Sequence, residues 1–339
     1  MTRTFSRRDF MIEAGALGVA GLAFPGNAFS QGKPVNIPNA AGAINLTMQE
    51  LMKSQKFLEE MGLTPNVVNV ADGSKIVSSL IGGDMDISTM SGFGQVFPAI
   101  ERGGKLKIVA AAMLLPSVAL FTSKANINSL KDLEGKIVGS GSPGALVHQL
   151  TVALLKKKGV DYKRVQFVNI GSSVDVFRAV TVGTVDAGVG EIVYVEEQDR
   201  YKVRMIPEAN LSQELPEYTY QGAYASERTI ETKRDILVRT LAAYGKLYRF
   251  VHKPEAKEAF FKARIAALKK ATDNENEILW RYLQKYKPYA VNLTVTEERL
   301  NYMQGLNVEL GVQKKVLPFS QVADMSVAQE ALKMLGGEV

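Results

Sequence analysis

Residues 83–86 read Gly83-Asp84-Met85-Asp86, and residues 183–186 read Gly183-Thr184-Val185-Asp186, the same G-x-x-D at an offset of 186 − 86 = 100 positions. Working outward, Val68-Asn69-Val70 returns as Val168-Asn169-Ile170 at the same offset. Leu58-Glu59-Glu60-Met61-Gly62-Leu63 parallels Leu155-Lys156-Lys157-Lys158-Gly159-Val160. Asn39-Ala40-Ala41-Gly42-Ala43 parallels Ser140-Gly141-Ser142-Pro143-Gly144-Ala145. Self-similarity of this kind marks a duplicated folding unit.

Each copy reads as a strand, a glycine-containing turn, a long helix, a glycine cap, a strand, a Gly/Ser turn, a helix, and then G-x-x-D opening another strand. The first copy places strands at Val35 to Pro38, Asn66 to Val70 and Met85 to Thr89. Its helices run near Gly42 to Met61 and near Ser74 to Ile81. The second places strands at Lys136 to Gly139, Val165 to Asn169 and Val185 to Gly188, with helices from Pro143 to Lys158 and near Ser172 to Val182. Gly62 and Gly159 stand where a left-handed cap residue is wanted, and Pro143 where a first helical turn tolerates a missing N–H. Alternation of strand and helix gives an α/β fold. The expectation is two lobes, each a mixed, largely parallel sheet flanked by helices, with a cleft between them. Residues 34–120 plus 224–339 form the first lobe and 121–223 the second. Val118 to Thr122 and Thr219 to Tyr224 read as extended segments crossing between lobes. From Glu227 onward the pattern is mostly helical, with Leu237, Leu241, Tyr244, Leu247, Tyr248 and Val251 on one stripe, and these helices are expected to pad the first lobe.

The chain of 339 residues exceeds the size at which one core usually stops growing. Its 41 Lys and Arg against 35 Asp and Glu give a net charge of +6, but the two signs are interleaved. That is a solvated surface, not a nucleic-acid footprint. The run Lys156-Lys157-Lys158 sits at a helix end, where cations favour the dipole. With no cysteine, thiol catalysis, disulfides and thiolate-bound metals are excluded. His148 and His252, the only two histidines, have no metal-site spacing. No metal or cofactor is expected.

The opening residues read as an export leader. Ser6-Arg7-Arg8 with Phe10 precedes a short Gly- and Ala-rich apolar run, Ala14 to Phe24, too short to span a bilayer. Pro25 and Gly26 break it, and Ala28-Phe29-Ser30 offers a cleavage site before Gln31. The pattern resembles a twin-arginine signal over residues 1–30, with Met11 and Ile12 in place of the usual Leu and Lys; an ordinary secretory signal is the other reading. Both imply a periplasmic mature protein.

Together with the leader, several segments follow in order: Asp72-Gly73-Ser74, Leu80-Ile81-Gly82-Gly83-Asp84-Met85-Asp86-Ile87, Leu130-Lys131-Asp132-Leu133-Glu134-Gly135-Lys136-Ile137-Val138, and Gly183-Thr184-Val185-Asp186-Ala187. They resemble the ABC-transporter substrate-binding proteins of the sulfonate, taurine, nitrate and thiamine-pyrimidine group. The resemblance covers residues 34 to 225 by motif and the remainder by pattern. It implies the type II periplasmic binding fold, a small organic solute of anionic character (sulfonate, carboxylate or related), capture by hinge closure, and partnership with a permease and its ATPase subunits. It implies a monomer without catalytic residues. Fungal pyrimidine synthases of the wider group carry a cysteine-rich motif absent here, so that activity does not transfer. Two alternatives remain on the same fold, a lyase and the receptor of a tripartite ATP-independent transporter.

Ligands of open α/β sheets bind beyond the carboxyl ends of the strands. The turn Ser140, Gly141, Ser142, Pro143, Gly144 and Ala145 is the leading candidate. Its glycines permit close backbone approach, Ser142 is placed to cap the helix, and free N–H groups at a helix start favour an anion. Across the cleft should stand Asn39, Ala40 and Gly42, with Gly73 and Ser74 beside them, and Ser91 and Gly92 opening a helix after the third strand. Ser117, Tyr220 and Gln221 read as cleft floor. Glu191 either accepts a hydrogen bond from the solute or sits as an early helix glutamate. His148 reads as a packing histidine, Asp86 and Asp186 as structural residues at strand entries, and Trp280 with Leu279, Tyr282, Leu283 and Tyr286 as a helix packing stripe.

Overall fold

In each copy the glycine of G-x-x-D closes one helix and the aspartate starts the next strand. The computed structural model describes residues 32–269 and 271–337; the expected leader lies outside them. Helices of eight residues or more are numbered here as α1 Ala43–Ser54, α2 Gly73–Gly82, α3 Leu146–Lys157, α4 Ser173–Thr181, α5 Arg234–Val251, α6 Lys257–Leu268, α7 Asp273–Tyr286, α8 Glu297–Glu309 and α9 Ser326–Met334. The strands are β1 Lys33–Ala40, β2 Leu63–Val70, β3 Ile87–Ser91, β4 Leu106–Met113, β5 Val118–Thr122, β6 Ile137–Ser140, β7 Gln166–Asn169, β8 Ala187–Glu191, β9 Arg204–Asn210 and β10 Gln221–Ser226.

Gly83 ends α2 with φ 84° and Gly183 ends α4 with φ 74°, conformations that a side chain would strain. Three residues on, the Asp86 N–H donates to the Asn36 carbonyl at 2.9 Å, and the Asn36 N–H donates to Asp86 Oδ2 at 2.8 Å. Asp186 repeats this on Ile137, at 2.8 and 2.9 Å. Each aspartate thus clamps the first strand of its copy to the third, in the structural role expected at a strand entry.

The clamp makes the two halves alike. In one, the β2-β1 pair adjoins β3-β10-β4 through Asp86; in the other, the order is β7-β6-β8-β5-β9. The sheets are mixed, but the parallel share is smaller than the repeat suggests. β1 with β2, and β6 with β7 and β8, run parallel, whereas β10 against β3 and β4, and β5 against β8 and β9, run antiparallel. The reason is where β5 and β10 come from. Each enters its sheet from the other half, at the end where its neighbours leave, so it must run against them. The expected crossing segments are therefore these inserted strands, and the chain passes between halves at residues 114–117 and 215–220.

Local expectations shift in three further places. The first long helix breaks at Lys56, whose φ is 56°, leaving α1 and a short turn of helix at Phe57–Glu60. α3 begins at Leu146, so Pro143 lies in the preceding turn and Ser142 caps nothing. Ser91 ends β3 and Gly92 lies in a turn; the next helix starts at Val96. The glycine caps hold: Gly159 takes φ 68°, and Val160 N–H reaches back to the Leu155 carbonyl at 2.9 Å.

The C-terminal helices do not pad one half alone. α5 lies on the first half with α9, and α6 packs on α1. α7 and α8 also reach the second half, where Tyr282 donates to the Pro116 carbonyl at the junction (2.9 Å) and Gln149 of α3 donates to Asn307 of α8 (2.9 Å). The Trp280 stripe is packing, with Trp280 against Phe260 at 5.5 Å between ring centroids.

Asp86 is buried and also pairs with Lys233 at 2.6 Å. Asp86→Ala leaves the Asn36 N–H and the lysine without their partner. A loss of about 1–3 kcal/mol in urea unfolding is expected; an unchanged midpoint would show that the clamp does not stabilise the fold.

Candidate functional site

Between the halves, at the carboxyl ends of the parallel strands, lies a cavity of about 80 Å³. That is room for on the order of five to eight water-sized positions. Ala40 ends β1, Val70 ends β2, Ser91 ends β3 and Asn169 ends β7 on its wall, while Val118 and Gln221, the first residues of the inserted strands, complete it.

Four helices begin at this wall. Their N-cap residues, Gly42, Asp72, Ala145 and Ser172, all line the cavity. Asp72 accepts from Ser74 N–H at 2.8 Å and Ser172 accepts from Asp175 N–H at 3.3 Å. Gly42 and Ala145 offer no side-chain cap, so the first-turn N–H groups of α1 and α3 lack one. Such termini carry partial positive charge and suit an acceptor or anion. Ile76, Leu146, Val147, Leu150 and Val189 supply an apolar wall. Among the described residues no Lys, Arg or His lines the cavity, and Asp72 is its only carboxylate.

The halves meet over this space. Ser142 Oγ donates to Asp72 Oδ2 at 2.9 Å, and Asn169 Nδ2 donates to Ser142 Oγ at 3.1 Å. Burial disfavours the ionised Asp72, but hydrogen bonds from Ser74 and Ser142 outweigh it and hold the carboxyl below its ordinary range. Glycine is needed at the seam: a Cβ at Gly92 would lie 2.5 Å from Leu146 Cβ, and one at Gly94 would lie 2.7 Å from the Gly144 carbonyl oxygen.

Of the residues expected from sequence, the cavity brings together Ala40, Gly42, Gly73, Ser91, Gly92, Gly141, Ser142, Ala145, Tyr220 and Gln221. Seven do not line it, among them Pro143 in the turn ahead of α3. Asn39 binds Gln49 and Asn69 (2.8 and 2.9 Å), and Ser74 is spent on Asp72 (2.7 Å). Ser117 is buried, with its carbonyl taken by Ile192 N–H. The Ser140 carbonyl accepts from Ile170 and Gly171, and its hydroxyl is buried without a partner. Gly144 N–H donates to His148 Nδ1 at 3.2 Å, and His148 packs edge-on against Phe167, as a packing histidine should.

Glu191 ends β8 and stands at the N-cap of a short 3-10 helix, Ile192–Val195, without a side-chain cap bond, and it does not line the cavity. Arg264 of α6 donates to both its oxygens, at 3.2 and 2.6 Å, with Arg264 1% and Glu191 6% exposed. Sequence reading had no signal for this partner, 73 positions away. It also missed Asn45, Gln95 and Ser173 on the cavity wall. Asn45 and Ser173 lie in the first turns of helices opening at the cleft, a position that could have flagged them; Gln95 lies in an irregular turn with no such marker.

Two outcomes follow from these contacts. Arg264→Met strands a buried carboxylate and should cost about 3–5 kcal/mol, whereas Glu191→Leu with Arg264→Met should recover at least half of it; urea unfolding of both variants decides. His252 accepts the Tyr289 N–H at 3.3 Å, and burial, helped by the Lys287 charge, pushes its pKa from 6.5 down to about 4. The unfolded chain therefore takes up the proton first. Stability present above pH 6.5 should decline as pH falls toward about 4, and His252→Gln should flatten that decline in pH-dependent unfolding.

A family model described as NMT1/THI5 like matches residues 51–257. No curated protein sequence matches the chain. Among solved structures, the alkanesulfonate-binding protein SsuA from Xanthomonas axonopodis pv. citri bound to MOPS has a TM-score of 0.71 at 16% identity, over 86% of this chain and 98% of the other. The periplasmic nitrate-binding protein NrtA from Synechocystis PCC 6803 has a TM-score of 0.67 at 10% identity, over 90% and 89%. The desulfurization enzyme DSZB has a TM-score of 0.61 at 14% identity, over 89% and 99%. The fold is thus the periplasmic binding protein fold. Since the matched model spans more than half of the sequence, the chain belongs to the NMT1/THI5-like family.

Proposed function

We propose that this protein is the exported solute-binding component of an ABC importer and holds one small organic solute in the cavity between its halves. The observation that carries the reading is the meeting of four helix N-termini, two without a side-chain cap, on one space lined by both copies of the repeat. Membership of the NMT1/THI5-like family and likeness to proteins named as sulfonate and nitrate binders support it. An anionic or acceptor group, such as a carboxylate or sulfonate, rests on the N–H groups of α1 and α3, and a short apolar body lies against Leu146, Leu150 and Val189.

The mechanism is hinge closure. The halves act as lobes, residues 34–113 with 221–337 and residues 118–214, a few residues from the boundaries expected from sequence because β5 and β10 belong to the sheets they enter, and they turn about the crossings at 114–117 and 215–220. Solute bound to both lobes favours the form in which Ser142 meets Asp72, because only that form makes both sets of contacts. The closed lobes then face a permease with its ATPase subunits, the protein acting as a periplasmic monomer delivered by the twin-arginine leader of residues 1–30. No helix among the described residues is long and apolar enough to cross a membrane. Binding requires no covalent step.

A thermal-shift screen of the purified protein against small carboxylates, sulfonates and pyrimidines tests the reading. A true solute should raise the unfolding temperature in proportion to the logarithm of its excess over Kd. Turnover of a stabilising compound would replace the binding role with an enzymatic one, as the fold shared with DSZB allows.

A further inference from the structure

One residue of the cavity wall, Gln221, carries a buried acceptor with no donor among the described residues, and its orientation is fixed by its partners. Asn45, in the first turn of α1, donates its Nδ2 to the Met90 carbonyl. A carbonyl can only accept, so Asn45 must present Oδ1 on its other side. That oxygen accepts Gln221 Nε2 at 2.9 Å. The chain of bonds leaves Gln221 with Oε1 as its remaining end. Gln221 is 1% exposed, lines the cavity, and its Oε1 has no hydrogen-bond partner among the described residues. Three hydroxyls of the wall are committed elsewhere: Ser91 donates to Tyr224 (2.9 Å), Ser142 to Asp72 (2.9 Å) and Ser172 to Asp175 (2.6 Å).

We infer that the cavity selects a solute carrying a hydrogen-bond donor, an N–H or O–H, which pairs with Gln221 Oε1. The inference rests on the solute-binding reading and narrows it. A donor-free anion leaves a buried acceptor unpaired, and a site with such a group rejects the analogue that cannot pair with it. The charge of the wall points the same way: among the described residues Asp72 is its only carboxylate and no cationic side chain lines it, so a bare anion has only helix ends to balance it. The solute class is therefore a small hydroxy- or amino-substituted acid, or a neutral molecule with an N–H, rather than nitrate or an unsubstituted alkanesulfonate. Gln221 is then the residue that sets specificity, and Asn45 positions it.

Isothermal titration of the intact protein with matched pairs tests this: propanoate against lactate, ethanesulfonate against 2-hydroxyethanesulfonate, and nitrate alone. The donor-bearing member of a pair should bind at least about 10-fold tighter. In Gln221→Met that gap should shrink to within about 3-fold. Equal affinities within the pairs in the unmodified protein, or an undiminished gap in a folded Gln221→Met, overturn the inference and leave solute binding standing. The pairwise comparison needs no variant, so a Gln221→Met chain that fails to fold does not protect the idea. Silence from every compound here and in the thermal-shift screen removes the solute-binding reading itself.

Discussion

Two carboxylates far from the cavity determine where it lies. Asp86 and Asp186 each accept one backbone N–H from the first strand of their copy and return one to its carbonyl. A side chain that completes a backbone ladder fixes register, and register decides which residues reach the end of a strand. With β1 and β3 aligned in one half and β6 and β8 in the other, the turns after all four strands arrive at the same level. Those turns hold the helix caps Gly42 and Ala145 and the strand end Ser91. The aspartates therefore act on the site through the backbone, from the opposite edge of each sheet.

The inserted strands explain how two such halves become one molecule. β5 and β10 each sit in the middle of the other half's sheet, buried along their whole length. Neither half can complete its core without a strand that has passed through the junction. Around the junction, the C-terminal helices add a second set of ties, with Arg264 on Glu191, Tyr282 on the Pro116 carbonyl and Gln149 on Asn307. All three are buried, where a broken polar pair costs more than it does at a surface.

Polarity of the cavity follows from the same economy. Its donors are backbone N–H groups at helix starts, its acceptors are amide and carboxylate oxygens, and its apolar wall comes from the first turns of α3 and from β8. Both histidines stay out of it, each held neutral by burial and each accepting a backbone N–H. Among the described residues no lysine or arginine stands on the wall, so its polarity lies in the direction of hydrogen bonds more than in net charge.

The duplicated G-x-x-D, the glycine caps and the alternation of strand and helix were legible in the sequence because they are local: a left-handed glycine or a strand-entry aspartate is decided by a few neighbouring dihedrals. Local turns and the second extended segment also placed ten of the expected cavity residues, from Ala40 to Gln221. The antiparallel share of the sheets, the partner of Glu191, the reach of α7 and α8 onto the second half and the donorless Gln221 Oε1 were not legible. Each depends on groups brought together from positions 50 to 180 residues apart, and no property of either residue alone encodes the other's place. Sequence by itself determined two copies of an α/β unit with their turns at one end; only tertiary structure decided which polar atoms those turns leave unpaired, since that balance is struck by contacts formed when the halves meet.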